Sequence, residues 1–286
     1  MSTSNLAERL GYPANTRMLI VHCDDIGMSW ESNAAAKKLL TEGIPTSGSV
    51  MMPCPWAYEF MDWYRDHPDL DVGIHVTLTS EWNTYRWRPL TVAPSLVDGD
   101  GFMHKSTRGV GTFATTEEVG QEMAAQIQLA LDWGVLPTHV DTHMGASLAR
   151  LDLATAYLEV AKRYRLSPMI LEPGPELMAE LKAQGYDMGL ADLMANATTP
   201  KLTALYGAAE GKTYDAKKQA IYKQLENLQP GLTYLIIHPA LESDSMRAIT
   251  DSWQQRYWEY KIFMENDTRD KIDGLGIKMV SWQELA

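Results

Sequence analysis

Four apolar runs in this chain each finish in side chains able to bind a metal or move a proton, and that repeated grammar narrows the folds open to it. The first is Met18-Leu19-Ile20-Val21-His22-Cys23, closed by Asp24-Asp25-Ile26-Gly27. The second, Val72-Gly73-Ile74-His75-Val76-Thr77-Leu78, is rich in β-branched residues and carries one histidine. Pro137-Thr138-His139-Val140-Asp141-Thr142-His143 sets two histidines and an aspartate at alternate positions, and Tyr234-Leu235-Ile236-Ile237-His238-Pro239 is stopped by proline. Short apolar runs bounded by turn or breaker residues read as buried strands.

Asp24 and Asp25 are adjacent at the end of such a strand, and like charges this close disfavour joint ionisation. A cation or a shared proton must stabilise them. A metal bound by one carboxylate, with the other held nearby as a base, resolves the conflict and points to hydrolytic metal chemistry.

Helical patterns separate the strands. One spans 33–42, with Ser29 or Ser32 as cap and Gly43 as stop, and another covers 57–66. A long helix is expected over 115–133 before Gly134, and further helices over 151–164, 175–184 and 214–228. Strands are expected at 48–52, near 169–171 and at 278–280. Six or seven strand–helix repeats predict an α/β fold with parallel strands: a (β/α) barrel, TIM-like or a distorted seven- or eight-stranded form. The 286 residues suit a single domain over 1–286, with loop insertions near 80–111 and 185–214. In such barrels the working residues sit at the C-terminal strand ends, where Asp24, Asp25, His75, His139, Asp141 and His238 fall. A doubly wound sheet is the runner-up, but no G-x-G-x-x-G follows the first strand.

Composition excludes some partners. A net charge of −12 argues against nucleic acid and against an anionic membrane surface, while an uncharged or mildly cationic ligand meets no repulsion and a phosphorylated one needs local Lys or Arg. No stretch approaches a membrane span, and the polar N-terminus shows no signal peptide, so a cytoplasmic location is expected. Two cysteines, Cys23 and Cys54, are too few for a disulfide framework.

The motifs Cys23-Asp24-Asp25-Ile26-Gly27, Gly73-Ile74-His75-Val76-Thr77-Leu78, Thr138-His139-Val140-Asp141-Thr142-His143 and Ile237-His238-Pro239 resemble, in order, those of the YdjC-like carbohydrate deacetylases, the group containing the chito-oligosaccharide deacetylases. The resemblance runs from about Arg17 to the C-terminus. It implies a metal-dependent hydrolase that removes acetyl groups from N-acetylated sugars such as diacetylchitobiose or its phosphate. It assigns one divalent ion, Mg²⁺ or Zn²⁺, to Asp25, His75 and His139. Asp24 as base and His238 as proton donor carry over from related polysaccharide deacetylases. Those relatives often have an arginine on the fifth strand that steers the catalytic carboxylate; Glu172 stands near that place here.

Strand alternation puts His139, Asp141 and His143 on one side, about 6–7 Å apart per step. One division gives His139 to the metal and Asp141 to the task of orienting an imidazole. His143 is then a substrate contact or an alternative ligand, and Met144-Gly145-Ala146 replaces the further histidines many family members have. His22 shares a face with Asp24, as a core histidine or as a support to the site. Trp82 and Trp87 are candidates for a sugar platform or for the contact of a homodimer. Two other readings stay open: a metal-dependent sugar-phosphate isomerase or aldolase, and an inactive sugar-binding relative.

Overall fold

The first strand, β1 (Arg17–Ile26), is the spine of the molecule, because it pairs along both edges. The computed structural model describes residues 5–183 and 187–285. The other strands are β2 (Ser47–Val50), β3 (Val72–Val76), β4 (His139–Thr142), β5 (Ser167–Pro168), β6 (Ala204–Gly207), β7 (Gly231–Ile237) and β8 (Lys278–Met279). All pair in parallel, in the order β5-β4-β3-β2-β1-β7-β6. β8 joins β1 at Met18 and Leu19, while β2 takes over from His22 onward.

The helices are α1 (Leu6–Arg9), α2 (Trp30–Glu42), α3 (Ala57–Tyr64), α4 (Thr107–Phe113), α5 (Thr116–Asp132), α6 (Leu151–Tyr164) and α7 (Pro175–Ala183). They continue with α8 (Gly189–Asn196), α9 (Tyr214–Glu226), α10 (Asp244–Ile249), α11 (Trp253–Met264), α12 (Asn266–Gly274) and α13 (Trp282–Leu285). Capping follows side-chain chemistry: Ser29, Thr115 and Thr213 accept from backbone N–H groups at the starts of α2, α5 and α9.

Two apolar layers flank the sheet. Leu19, Val21 and Cys23 of β1 join the layer beneath the helices, with Leu39, Phe60, Ile127 and Phe263. Met18 and Ile20 face the inside of the curl with Tyr234, Leu202 and Trp282. Burial on both faces explains the unbroken apolar runs. Among the described residues no helix is long and apolar enough to cross a membrane.

Two expectations need correction. The sheet is a curled half-barrel, seven strands in its path with β8 added on β1, and not a closed TIM barrel: its edges, β5 and β6, are linked through one isolated bridge, Leu171 to Leu202. β5 is only two residues long because Pro168 offers no N–H for a ladder bond. The segment 185–214 is also more than a loop, since it holds α8 and the edge strand β6 (185 and 186 lie outside the described residues, as does 184, the expected end of the helix over 175–184). Ala204-Leu205-Tyr206-Gly207 has no apolar run to announce it; pairing with β7 makes it a strand.

The β3–β4 register aligns His75 with Asp141, and so sets Gly73 beside His139. A Cβ at Gly73 would lie 2.6 Å from both the His139 ring and its carbonyl oxygen. Overpacking of this kind costs about 1–3 kcal/mol. Gly73→Ala should therefore lower the unfolding free energy from urea titration by that amount; an unchanged value would show that the His139 layer can give way.

Candidate metal centre and catalytic site

On a regular strand Asp24 and Asp25 would point to opposite faces. Here the β1–β2 register shifts between Cys23 and Ile26, and Asp25 adopts a left-handed backbone with φ of 60°. A non-glycine residue in that region costs on the order of 1–3 kcal/mol and is held only by its surroundings. The irregularity turns both carboxylates toward one imidazole: Nε2 of His75 lies 3.7 Å from Asp24 Oδ2 and 3.6 Å from Asp25 Oδ1.

His143, the first residue past β4, comes to the same point. Its Nδ1 is 3.2 Å from Asp25 Oδ1, and its Nε2 is 3.1 Å from Glu81 Oε2. Left-handed Met144 and Gly145 turn the chain away immediately afterwards. His75 is wired alike, with Nδ1 2.8 Å from Asp141 Oδ1. Each imidazole thus gives one nitrogen to a backing carboxylate and turns the other toward Asp25, the arrangement that prepares a histidine as a metal ligand. The donor atoms of Asp25, His75 and His143 lie within 4.8 Å of one another, all buried.

The expected set was Asp25, His75 and His139, and His139 is not brought to this place. It sits one layer deeper, opposite Gly73, stacked on Trp282 at 5.0 Å, with its Nδ1 2.8 Å from Thr138 Oγ1. Alternation put His139, Asp141 and His143 on one side correctly. The residue at the height of Asp25 is His143, because the β3–β4 register gives the height of His75 to Asp141.

Asp141 is the hub beneath. Its Oδ2 accepts from Ser49 at 2.8 Å and from Tyr234 at 3.0 Å, and lies 3.0 Å from His22 Nε2. Burial acts to raise its carboxyl, but His75 and His22 hold it well below the usual carboxylate range. Burial pushes His22 down to about 4, so the ring is neutral at pH 7. The same Nε2 is 3.3 Å from Asp24 Oδ1, so the core histidine also supports the site.

Charge separates the two aspartates. Burial would raise Asp25, yet Arg256, whose Nη2 is 2.8 Å from Asp25 Oδ2, and then His143 hold it well below its ordinary value. Burial lifts Asp24 well above its ordinary value; His75 pulls the other way, and Asp141 and Asp25 add to the rise. Burial works against the imidazolium forms of His75 and His143, but the flanking carboxylates win and push them up to about 9 and about 10. A field that favours imidazolium here also favours a divalent cation, whose binding would release those protons. Asp24 Oδ1 and Asp25 Oδ1 are buried without a hydrogen-bond partner, and the Asp25 oxygen, grouped with His75 and His143, fits such an ion.

His238 ends β7 at the rim, its side chain 39% exposed and its Nε2 3.9 Å from Asp24 Oδ2. Trp82 is half-buried, with the Arg256 guanidinium 5.8 Å from its ring centre. Trp87, proposed from the sequence as a platform or a subunit contact, is 3% exposed. Its indole N–H donates to the Thr79 carbonyl at 2.8 Å, so it supports the rim from within. Glu172 lies away from the site beside Lys201. An arginine from α11, Arg256, holds Asp25. Arg256 and Glu81 escaped the sequence reading, since neither lies in a strand-end motif; the trace of Arg256 is a charge within the aromatic run Trp253 to Tyr260.

A curled parallel sheet with a buried two-histidine, one-carboxylate centre at the carboxyl ends of its strands defines a class of metal-competent α/β proteins. This chain belongs to the YdjC-like protein family, which its residues 18–274 match. It is similar to a carbohydrate deacetylase of Thermus thermophilus, 37% identical over 271 residues, covering 93% of this chain and 92% of that one. A chitooligosaccharide deacetylase of Yersinia enterocolitica is 34% identical over 130 residues, covering 44% and 49%. A crystal structure from Enterococcus faecalis, of a candidate cellobiose-phosphate cleavage protein, superposes with a TM-score of 0.76 at 22% identity, covering 95% of this chain and 99% of that one. That likeness concerns the fold.

Two measurements test the centre. His143→Ala should abolish binding of Zn²⁺ by the purified protein in equilibrium dialysis, whereas His139→Gln should keep one ion per chain; the reverse pattern would restore the expectation from sequence. Asp141→Asn should weaken Zn²⁺ binding by about 10–100-fold, because His75 loses the carboxylate that orients it.

Proposed function

We propose that this protein is a metal-dependent deacetylase of small N-acetylated sugars, chito-oligosaccharides such as diacetylchitobiose or its phosphate, releasing acetate. The observation that carries the reading is the divergence of two neighbouring carboxyls. Groups whose surroundings push their proton affinities apart mark the division of acid–base labour. Asp25, held ionised by Arg256, is a ligand; Asp24, its affinity for a proton raised and Oδ1 unpartnered, is a base.

A divalent ion held by Asp25, His75 and His143 would lower the pKa of a water and polarise the acetyl carbonyl. The donor set of two imidazoles and a carboxylate suits Zn²⁺, and Mg²⁺ is the alternative. Asp24 takes the proton of the attacking water as the new C–O bond forms. His238, on the exposed side of Asp24, gives a proton to the amide nitrogen as the C–N bond breaks. The products are acetate and a free amino sugar. Trp82 at the rim, with the Arg256 guanidinium against its ring, offers an aromatic face to a sugar ring. The single-domain reading and a cytoplasmic, dimeric state stand as parts of the same proposal.

Purified enzyme with Zn²⁺ or Mg²⁺ should release acetate from N,N′-diacetylchitobiose. Asp24→Asn should lower kcat by about 10²–10⁴-fold with metal content unchanged. No acetate from any of a panel of N-acetyl sugars would refute the activity and favour the isomerase or sugar-binding readings.

A further inference from the structure

Lys217 on α9 has no exposed surface, and its Nζ lies 2.9 Å from Glu259 Oε1. Burying an ammonium costs several kcal/mol and demands a close partner. Glu259 is buried too, and its second oxygen, Oε2, accepts the backbone N–H of His238 at 2.6 Å. A hydrogen bond to an ionised acceptor is shorter and roughly twice as strong as a neutral one. Lys217 is thus one end of a three-membered chain whose other end is the peptide that carries the His238 imidazole.

The surroundings hold this chain rigid. Glu259 lies three residues beyond Arg256 on α11, so one helix face presents one charge to Asp25 and another to His238. The loop before α9 is tied to the same helix by Gln255, which donates to the Gly211 carbonyl at 2.8 Å and accepts from its N–H at 3.4 Å. A Cβ on Gly211 would fall 2.2 Å from the backbone nitrogen of Lys217, so only glycine lets this loop close over the lysine. Among the described residues, Asp24 at 3.9 Å is the acidic group nearest the His238 ring, and no hydrogen bond holds that ring. Its aim therefore depends on its backbone.

We propose that Lys217 is a positioning residue for proton donation: by pairing with Glu259 Oε1 and holding that carboxylate in place, it fixes the His238 peptide so that the imidazole faces the departing nitrogen. This rests on the assignment of His238 as proton donor in the function proposed above.

Two readouts test it, on Lys217→Met, Glu259→Gln and the double variant of the zinc-loaded enzyme. The first is turnover of an N-acetyl sugar beside an aryl acetate ester, whose leaving group needs no proton. Lys217→Met should lower kcat on the amide by roughly 10–100-fold, the penalty of a misaimed group, and leave the ester rate and the amide KM within about twofold. The double variant should be no slower than the worse single one, because both act along one path. The second readout is the amide proton of His238 in ¹⁵N-resolved NMR, which should move upfield in both single variants whatever the substrate. Equal losses on amide and ester, or an unmoved His238 amide in either variant, would overturn the proposal. Should Lys217→Met fail to fold, Glu259→Gln retains an acceptor for the peptide and reads the same path. A wild type inactive on every N-acetyl sugar refutes the function, while the NMR shift still decides whether Lys217 governs His238.

Discussion

The left-handed backbone at Asp25 is the constraint on which the site depends. A straight β1 would send one carboxylate inward and the other into the helix layer, where Leu19, Val21 and Cys23 point. The register shift converts two sequence neighbours into a pair facing one imidazole, and their unlike surroundings then separate their roles. Strain of about 1–3 kcal/mol persists because Arg256 and His143 hold the Asp25 carboxylate from two sides.

Much of this was legible in the residues. The strand ends appeared because buried parallel strands leave continuous apolar runs, and the polar groups that interrupt them stand out. Alternation in His139-Val140-Asp141-Thr142-His143 gave the correct side but not the correct height. Height depends on how β3 and β4 slide against each other, which no single strand encodes. Gly73 was the one local trace of that register, since a side chain there would strike His139.

Other features were hidden for a different reason. β6 is a short edge strand, and α11 follows Pro239 only after the short helix α10. Arg256, Glu81 and Lys217 act through contacts between elements distant in the chain, and their types are ordinary for solvated surface. The closed barrel suggested by counting repeats became a curled sheet because β5 and β6 are too short to zip together, leaving the Leu171–Leu202 bridge across the seam.

The stacking of Trp282 on His139 carries an implication for the order of assembly. The floor under the candidate metal site is completed by an indole encoded far downstream of β3 and β4, with Asp71 accepting from the backbone of Trp282 and Gln283. Contacts of such sequence separation form late, after the loop entropy between them has been lost. Docking of α13 is therefore what closes this floor, bringing the indole onto the His139 ring and leaving both side chains buried.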